Sequence, residues 1–172
     1  MALRKIVEIG DAKLRKVCKP QEKFDQRLRI LLDDMAQTMY KANGVGLAAP
    51  QIGILRRVVV IDVGDGLIEL INPVITETEG SQSGPEGCLS VPGRSGIVTR
   101  PNKLHVKAQD AQGNEIEFDA EEFFARAVCH ELDHLDGVLY VDKMDEEIFD
   151  DDEDEEYEDE EEYEEEDEED EQ

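Results

Sequence analysis

Apolar residues recur at three- and four-residue spacing in an early segment of the chain. The apolar positions are Leu28, Leu31, Leu32, Met35 and Met39. Asp25 precedes this run as a candidate N-cap, and Asn43-Gly44 follows it as a stop signal. The pattern predicts an amphipathic helix over about residues 26–42.

A second run with helical spacing lies near the end of the chain's mixed-composition part. Its apolar positions are Phe123, Phe124, Ala127, Val128, Leu132 and Leu135. Asp119 stands three residues before Glu122, the spacing of a helix N-cap with an acidic third residue. We expect a helix that begins after Asp119, runs to about Leu135 and is ended by Gly137.

Between the two helices, the pattern changes to that of strands. The β-branched run in residues 58–63 indicates a buried strand, and residues 68–77 form a second apolar strand candidate. Apolar and polar residues alternate over 103–108 and again over 115–118, with a short Ala-Gln-Gly segment between them. This alternation predicts an antiparallel hairpin with one solvated face.

Three further segments have no clear periodicity and are assigned from their composition and length. The Gly- and Ser-rich stretch 79–87 is expected to be a loop, and residues 88–91 and 139–141 are candidate short strands. There is little β-α-β alternation along the chain, which favours an α+β fold. We expect antiparallel strands packed around a central helix that carries His130 and His134, together with an N-terminal helix.

Charge divides the chain into two parts. The 172 residues are 39% apolar, enough for one modest core, and their net charge is −27. Residues 145–172 hold 23 of the 45 acidic residues and no Lys or Arg, so residues 1–144 are close to neutral. The sequence therefore predicts one folded domain over 1–144 and an acidic tail over 145–172 that is too charged to fold.

This composition also limits location and partners. A strongly acidic chain is repelled by phosphate backbones and anionic membranes, so we expect no direct nucleic-acid binding and no membrane binding. The sequence has no signal-like apolar run and no membrane-spanning run, which predicts a cytoplasmic protein. Three widely spaced cysteines read better as thiols or metal ligands than as a disulfide framework, and we expect a monomer.

The strongest chemical signal is His130-Glu-Leu-Asp-His134 on the second predicted helix. Residues four apart share a helix face, so both imidazoles can reach one metal ion. Glu131 would stand beside the ion as a general base without occupying a coordination position. The apolar surroundings argue against a solvated helix, because a buried imidazole pair without a partner would be costly.

A catalytic site of this kind needs a third ligand and an open fourth position. Cys88 and Cys129 are the main candidates, with Cys18 more remote. Cys129 points about 100° away from His130 on the helix, so it reads as a packed thiol. Gly87 permits a close backbone approach next to Cys88, and we therefore assign Cys88 as the ligand.

Three strings now identify a family. Gly44-Val-Gly-Leu-Ala-Ala-Pro-Gln51, Glu86-Gly-Cys-Leu-Ser90 and His130-Glu-Leu-Asp-His134 resemble, in order and approximate spacing, the three signature motifs of peptide deformylases. The resemblance covers about residues 1–144. It implies a metal-dependent hydrolase that removes the formyl group from N-formylmethionyl nascent polypeptides and releases formate.

The resemblance also implies a role for each motif residue. Cys88, His130 and His134 would hold the ion with water as fourth ligand, and Glu131 would transfer protons. The Gln51 side chain and the Leu89 backbone N–H would stabilise the oxyanion. Substrate contacts would come from Gly44, Val45, Gly46, Phe123 and Ala127. Ordinary core packing is the alternative for Val45, Phe123 and Ala127.

The identity of the ion is open on chemistry alone. A thiolate and two imidazoles suit zinc, whereas the resemblance points to iron(II) as the physiological ion. Zinc, nickel or cobalt could occupy the site in purified protein, because iron(II) binds such ligands more weakly than these ions.

Four charged residues are candidates for supporting the site. Glu86 and Arg100 are expected to pair across the cysteine loop. Arg126 would line the pocket mouth with its stem and keep its charge in water. Asp133 or Asp136 could orient a ligand imidazole, although a backbone carbonyl would serve equally well.

Two alternative functions remain at this point. A zinc endopeptidase uses the same HExxH geometry, but no histidine follows His134. A catalytically silent module could recruit basic partners with its acidic tail, but would not need Gln51, Cys88 and Glu131 together. The resemblance also raises docking on ribosomes near emerging nascent chains, which an anionic tail would hinder.

Overall fold

The computed structural model describes residues 2–149. Two α-helices, α1 (Gln26–Lys41) and α2 (Glu122–Leu135), accompany eight strands. The strands are β1 (Gly46–Ala48), β2 (Val58–Ile61), β3 (Ile68–Glu79), β4 (Gln82–Cys88), β5 (Val91–Arg100), β6 (Lys103–Gln109), β7 (Glu115–Glu121) and β8 (Glu146–Ile148). Three short 3-10 helices cover Ala12–Arg15, Ala49–Ile52 and Tyr140–Asp142. Neither α-helix in these residues is long and apolar enough to cross a membrane.

The described strands form two antiparallel sheets. The larger sheet has the order β1-β2-β3-β6-β7, and the smaller has the order β4-β5-β8. The hairpin predicted from alternation is β6 paired with β7, in a register that places His105 opposite Asp119. The architecture is mixed α and β with antiparallel sheets and two helices, as the α+β prediction states.

The β2 strand lies between the two helices and explains how the larger sheet is covered. Val58 and Val60 pack in the apolar cluster that contains the buried face of α1. Val59 and Ile61 point the other way, into the cluster that contains Val128 and other apolar residues of α2. All four strand residues are fully buried, as the β-branched run predicts, and the helices therefore hold opposite faces of one sheet.

Asp25 caps α1 by accepting a hydrogen bond from the Leu28 N–H, as the sequence predicts. The predicted start of α2 is wrong. Asp119 lies in β7, where its carboxylate contacts the His105 ring, and α2 begins at Glu122 with Glu121 as its N-cap. The cross-strand pairing keeps the chain extended for two residues beyond the predicted cap.

Two predictions around Cys88 are also wrong. The stretch 79–87 was expected to be a loop, but β4 occupies most of it and pairs with β5. Gly84 lies close under the Arg126 side chain, since a Cβ built at Gly84 would be 3.2 Å from the guanidinium. Residues 88–91 do not form a strand of their own; Cys88 pairs with Val91 across a tight turn.

The C-terminal part differs from its prediction in two ways. The expected strand at 139–141 is instead the 3-10 helix that starts at Tyr140, since the Asp142 carboxylate accepts the Leu139 N–H and closes a turn. The last strand, β8, lies within the segment assigned to the acidic tail and pairs with β5. The rest of the predicted tail, residues 150–172, lies outside the described residues.

Candidate metal and catalytic site

The tight turn between β4 and β5 brings Cys88 to the second helix. Its Sγ lies 3.4 Å from His134 Nε2. The ligand atoms of Cys88, His130 and His134 all lie within 4.8 Å of one another. The three residues predicted as ligands therefore converge, although the cysteine and the histidines are more than 40 positions apart in sequence.

Cys129 and Cys18 lie away from this group. Both are buried free thiols, and burial raises the pKa of each to about 11. A neutral, packed thiol is a poor ligand and a poor nucleophile. The interpretation of Cys129 as a packed thiol is confirmed.

Glu86 fixes the orientation of the His130 ring. His130 Nδ1 lies 2.8 Å from Glu86 Oε1. A ring that donates its Nδ1 proton to a carboxylate presents Nε2 as the free lone pair. The sequence leaves this role open among Asp133, Asp136 and a backbone carbonyl, and in the structure Glu86 takes it for His130. Asp133 bonds Arg100 and Asp136 bonds Arg57.

Two buried arginines neutralise Glu86. Arg100 approaches it with two nitrogens, at 3.0 Å and 2.9 Å, which confirms the predicted pair. Arg126 Nη1 lies 2.6 Å from Oε2 and also donates to the Val98 carbonyl. Burial alone would raise the pKa of Glu86, but Arg100 and His130 bring that pKa down to about 2. Arg126 is thus buried against Glu86, and the prediction that its charge lies in water is wrong.

The electrostatics of the three-residue group fit a bound cation. Burial disfavours a proton on His130, yet Cys88 and Glu86 raise its pKa to about 10. A field that holds a proton on this ring also favours a divalent cation in its place. Burial lowers the pKa of His134 well below its usual value, which keeps that imidazole neutral and able to ligate.

Glu131 lies beside this group and is almost completely buried. Burial raises the pKa of its carboxyl to about 7, with His130 opposing the shift. Its Oε2 has no hydrogen-bond partner within residues 2–149. A carboxyl that is both unpartnered and poised near neutral pH can accept and release a proton readily.

The amide of Gln51 is held in one orientation by its neighbours. Its Oε1 accepts the Ala48 N–H at 2.9 Å, and its Nε2 donates to Ser90 Oγ at 3.1 Å. The same Nε2 lies 3.5 Å from Cys88 Sγ. The donor end of this side chain therefore faces the metal-ligand group. Ser90 was missed in the sequence analysis, although it closes the second motif.

An open cavity of about 360 Å³ lies in front of these groups. Its wall includes every residue predicted to contact substrate, which are Gly44, Val45, Gly46, Phe123 and Ala127. Gln51, Cys88, Leu89, His130 and Glu131 also line it. His134 lies deeper and is almost fully buried. Two imidazoles, a thiol and a buried carboxyl at the base of an open cavity define a metal-dependent hydrolase.

Comparison with known proteins agrees with this class. The sequence model of the polypeptide deformylase family matches residues 3–148. A peptide deformylase of Caldicellulosiruptor bescii is 63% identical over 144 residues, which cover 84% of this chain and 87% of that protein. The Acetivibrio thermocellus peptide deformylase is 57% identical over 152 residues, covering 88% and 89%.

A solved structure shows the same fold. The crystal structure of peptide deformylase from Thermotoga maritima superposes with a TM-score of 0.83 at 42% identity, covering 84% of this chain and 99% of that one. The chain belongs to the peptide deformylase family, whose members are metalloenzymes that remove the N-formyl group from nascent peptides. This membership decides against the endopeptidase and the silent module.

Proposed function

We propose that this chain deformylates N-formylmethionyl peptides with a single divalent ion held by Cys88, His130 and His134. The observation that carries the proposal is the approach of these three ligand atoms to within 4.8 Å, next to the buried Glu131. When bound, the ion supplies Lewis-acid chemistry, which lowers the pKa of a coordinated water to near neutral and polarises the formyl group.

Glu131 is the proposed proton carrier of the reaction. As a carboxylate it accepts a proton from the attacking water, and as an acid it gives that proton to the departing amine. Burial favours the protonated form of this carboxyl, which helps it to take a proton from water and then to deliver that proton. One carboxyl therefore serves the attack on the formyl carbon and the release of the new N-terminus.

Gln51 and Leu89 are the proposed oxyanion donors. As the formyl carbon becomes tetrahedral, its oxygen gains negative charge that fixed N–H groups stabilise. The Gln51 amide is fixed by Ala48 and Ser90, so it needs no rearrangement when that charge develops. Leu89 lies in the tight turn of the smaller sheet next to Cys88 and lines the same cavity, and its backbone N–H is the second proposed donor.

We further propose that Val45 and Phe123 contact the methionine side chain. They are 41% and 53% exposed, which core packing does not explain, and both line the cavity. Ala127 lines the same cavity but is also buried in the cluster between α2 and the larger sheet, so it serves both surfaces. The catalytic domain in this proposal extends to β8, four residues beyond the boundary predicted from charge.

Iron(II) is the proposed working ion, and zinc, nickel or cobalt are substitutes. The deciding experiment prepares the protein without oxygen, loads it with iron(II) or zinc, and measures formate release from formyl-Met-Ala before and after exposure to air. We expect the iron enzyme to be the more active and to decay in air, while the zinc enzyme does not decay. Equal activity and equal decay would contradict iron(II), and the absence of formate release with every ion would contradict deformylation.

Gly46→Ala should lower kcat by about 10²-fold, because it moves Glu131. A Cβ at this position would lie 2.5 Å from Glu131 Oε1 and 2.8 Å from its Cδ, so the carboxyl must shift. Gly44→Ala is the matched variant, since its Cβ would press on the Leu89 side chain, at 2.7 Å from its terminal methyl carbon, and not on Glu131. Steady-state kinetics at equal metal content compares the two, and an equal loss in both variants would refute the explanation.

Glu86→Gln should weaken metal affinity by about 10–100-fold, because it removes the carboxylate that orients His130. The substitution keeps the shape of the side chain but removes the carboxylate that pairs with Arg126 and Arg100, of which Arg100 keeps its contact with Asp133. Competition with a chelator measures the affinity, and a melting curve confirms that the variant is folded. Asp133→Asn is the control: Asp133 contacts the other side of Arg100 but no ligand imidazole, so this variant should retain the ion. Unchanged metal retention in Glu86→Gln would remove this role.

A further inference from the structure

The N-terminal segment of residues 2–9, here named the N-terminal strap, begins on α1. Ala2 N–H donates to Asp34 Oδ1 at 2.6 Å, and Arg4 Nε donates to Oδ2 at 2.8 Å. The Arg4 N–H donates to Thr38 Oγ1. Asp34 is buried, and the hydrogen bond from Ala2, helped by Arg4 against the effect of burial, lowers the pKa of its carboxyl. The start of the strap is therefore firmly attached to α1.

The far end of the strap bridges two segments of the active site. Val7 N–H donates to the Gln51 carbonyl at 2.8 Å, and Ile9 N–H donates to the Ser90 carbonyl at 2.7 Å. Residues two apart in an extended chain direct their N–H groups to the same side. One short stretch of backbone thus binds two carbonyls at once.

Those two carbonyls belong to segments that are attached to different β-sheets. Gln51 follows β1 of the larger sheet, whereas Ser90 lies in the tight turn of the smaller sheet, directly after Leu89. The two proposed oxyanion donors are therefore carried by different sheets. An oxyanion site works only when both donors lie within hydrogen-bond distance of one oxygen position.

We propose that the strap sets the separation of the two oxyanion donors, with Val7 and Ile9 as positioning residues. The proposal rests on the proposed roles of Gln51 and Leu89. The strap supplies a backbone link between the two sheets that does not depend on the single side-chain bond from Gln51 to Ser90. Loss of this link would let the donors drift, and a displacement of about 1 Å is costly for a transition state.

The turn at Ile9 allows the link to be broken by one substitution. Asp11 N–H donates to the Glu8 carbonyl, and Gly10 has φ +102°, so Ile9 occupies the second position of a four-residue turn. Proline is favoured at that position and has no N–H. Ile9→Pro therefore fits the turn and removes the bond to Ser90, and its ring carbon also pushes the Ser90 carbonyl away from the strap. Ile9→Ala removes the same side chain, which is 39% exposed, but keeps the N–H.

We expect Ile9→Pro to lower kcat about tenfold relative to Ile9→Ala, with KM within about twofold and with equal metal content, at a temperature at which melting curves show both variants folded. The effect should shrink at least threefold when Gln51 is already alanine, because a missing donor cannot be misplaced. If Ile9→Pro does not fold, Asp34→Ala releases the other end, with Asp33→Ala on the same helix as its control.

The outcomes separate this proposal from the proposed function. A normal kcat for Gln51→Ala would overturn the oxyanion role and the strap proposal together. A low kcat for Gln51→Ala with equal kcat for Ile9→Pro and Ile9→Ala would overturn the strap proposal alone. A loss that multiplies fully with that of Gln51→Ala would also overturn it, because such a loss would reflect general damage to the fold.

Discussion

Glu131→Gln is expected to lower kcat by about 10²–10⁴-fold while the metal stays bound. The substitution keeps the volume of a buried side chain but removes its ability to accept and return a proton. Oε2 of the Glu131 carboxyl has no hydrogen-bond partner within the described part of the chain, so no bond to another side chain competes with its contact to the attacking water. Metal analysis and formate release on the same sample measure both effects.

This prediction has an internal control. His130 and His134 flank Glu131 on α2, and a disturbed helix would therefore lose the ion together with the activity. Retained metal with lost turnover isolates proton transfer as the missing step. Near-normal turnover with metal bound would show that another group carries the proton.

Gln51→Ala should lower kcat by about 10²–10³-fold, since one lost oxyanion donor costs about 3–4 kcal/mol of transition-state stabilisation. Gln51 contacts the substrate oxygen in the proposal but is not a metal ligand, so metal content should be unchanged. Ser90→Ala is the useful comparison. It removes the 3.1 Å bond that orients the amide but keeps the donor itself, and it should cost less. An equal loss in both variants would assign the effect to packing at Ser90.

Local patterns predicted the elements that have a single strong periodicity. The helix over 26–42 ends one residue earlier in the structure, and the β6–β7 hairpin has the predicted polar and apolar faces. In both elements, apolar side chains face the core and polar side chains face solvent. This periodic pattern is visible in the sequence without any knowledge of tertiary contacts.

The elements around Cys88 were not predictable in this way. Gly84 and Gly87 suggest a loop by composition, yet β4 is held extended by its pairing with β5 and by the buried Glu86. The early cap at Asp119 failed for a related reason, because a cross-strand contact with His105 prevailed over a local helix signal. In each case, long-range pairing overrode the local preference.

The residues that surround the proposed metal ligands were the least predictable from the sequence. Motif spacing pointed to Cys88, His130 and His134, which the structure brings together. It did not indicate that Arg126 turns inward, or that Glu86 orients the His130 ring, a role for which Asp133, Asp136 and a backbone carbonyl were all left open. An arginine on a helix has no sequence mark that separates a solvated charge from a buried one; only the carboxylate beside it does.

The division of the proposed metal ligands between two layers links the stability of the fold to the supply of metal. Cys88 comes from the smaller sheet, while His130 and His134 belong to a helix packed on the larger one. An ion that joins them acts as a removable crosslink, and its binding free energy adds to that of the folded state. Melting temperatures of preparations with unequal occupancy therefore report how much ion each sample holds as well as how well each sequence packs.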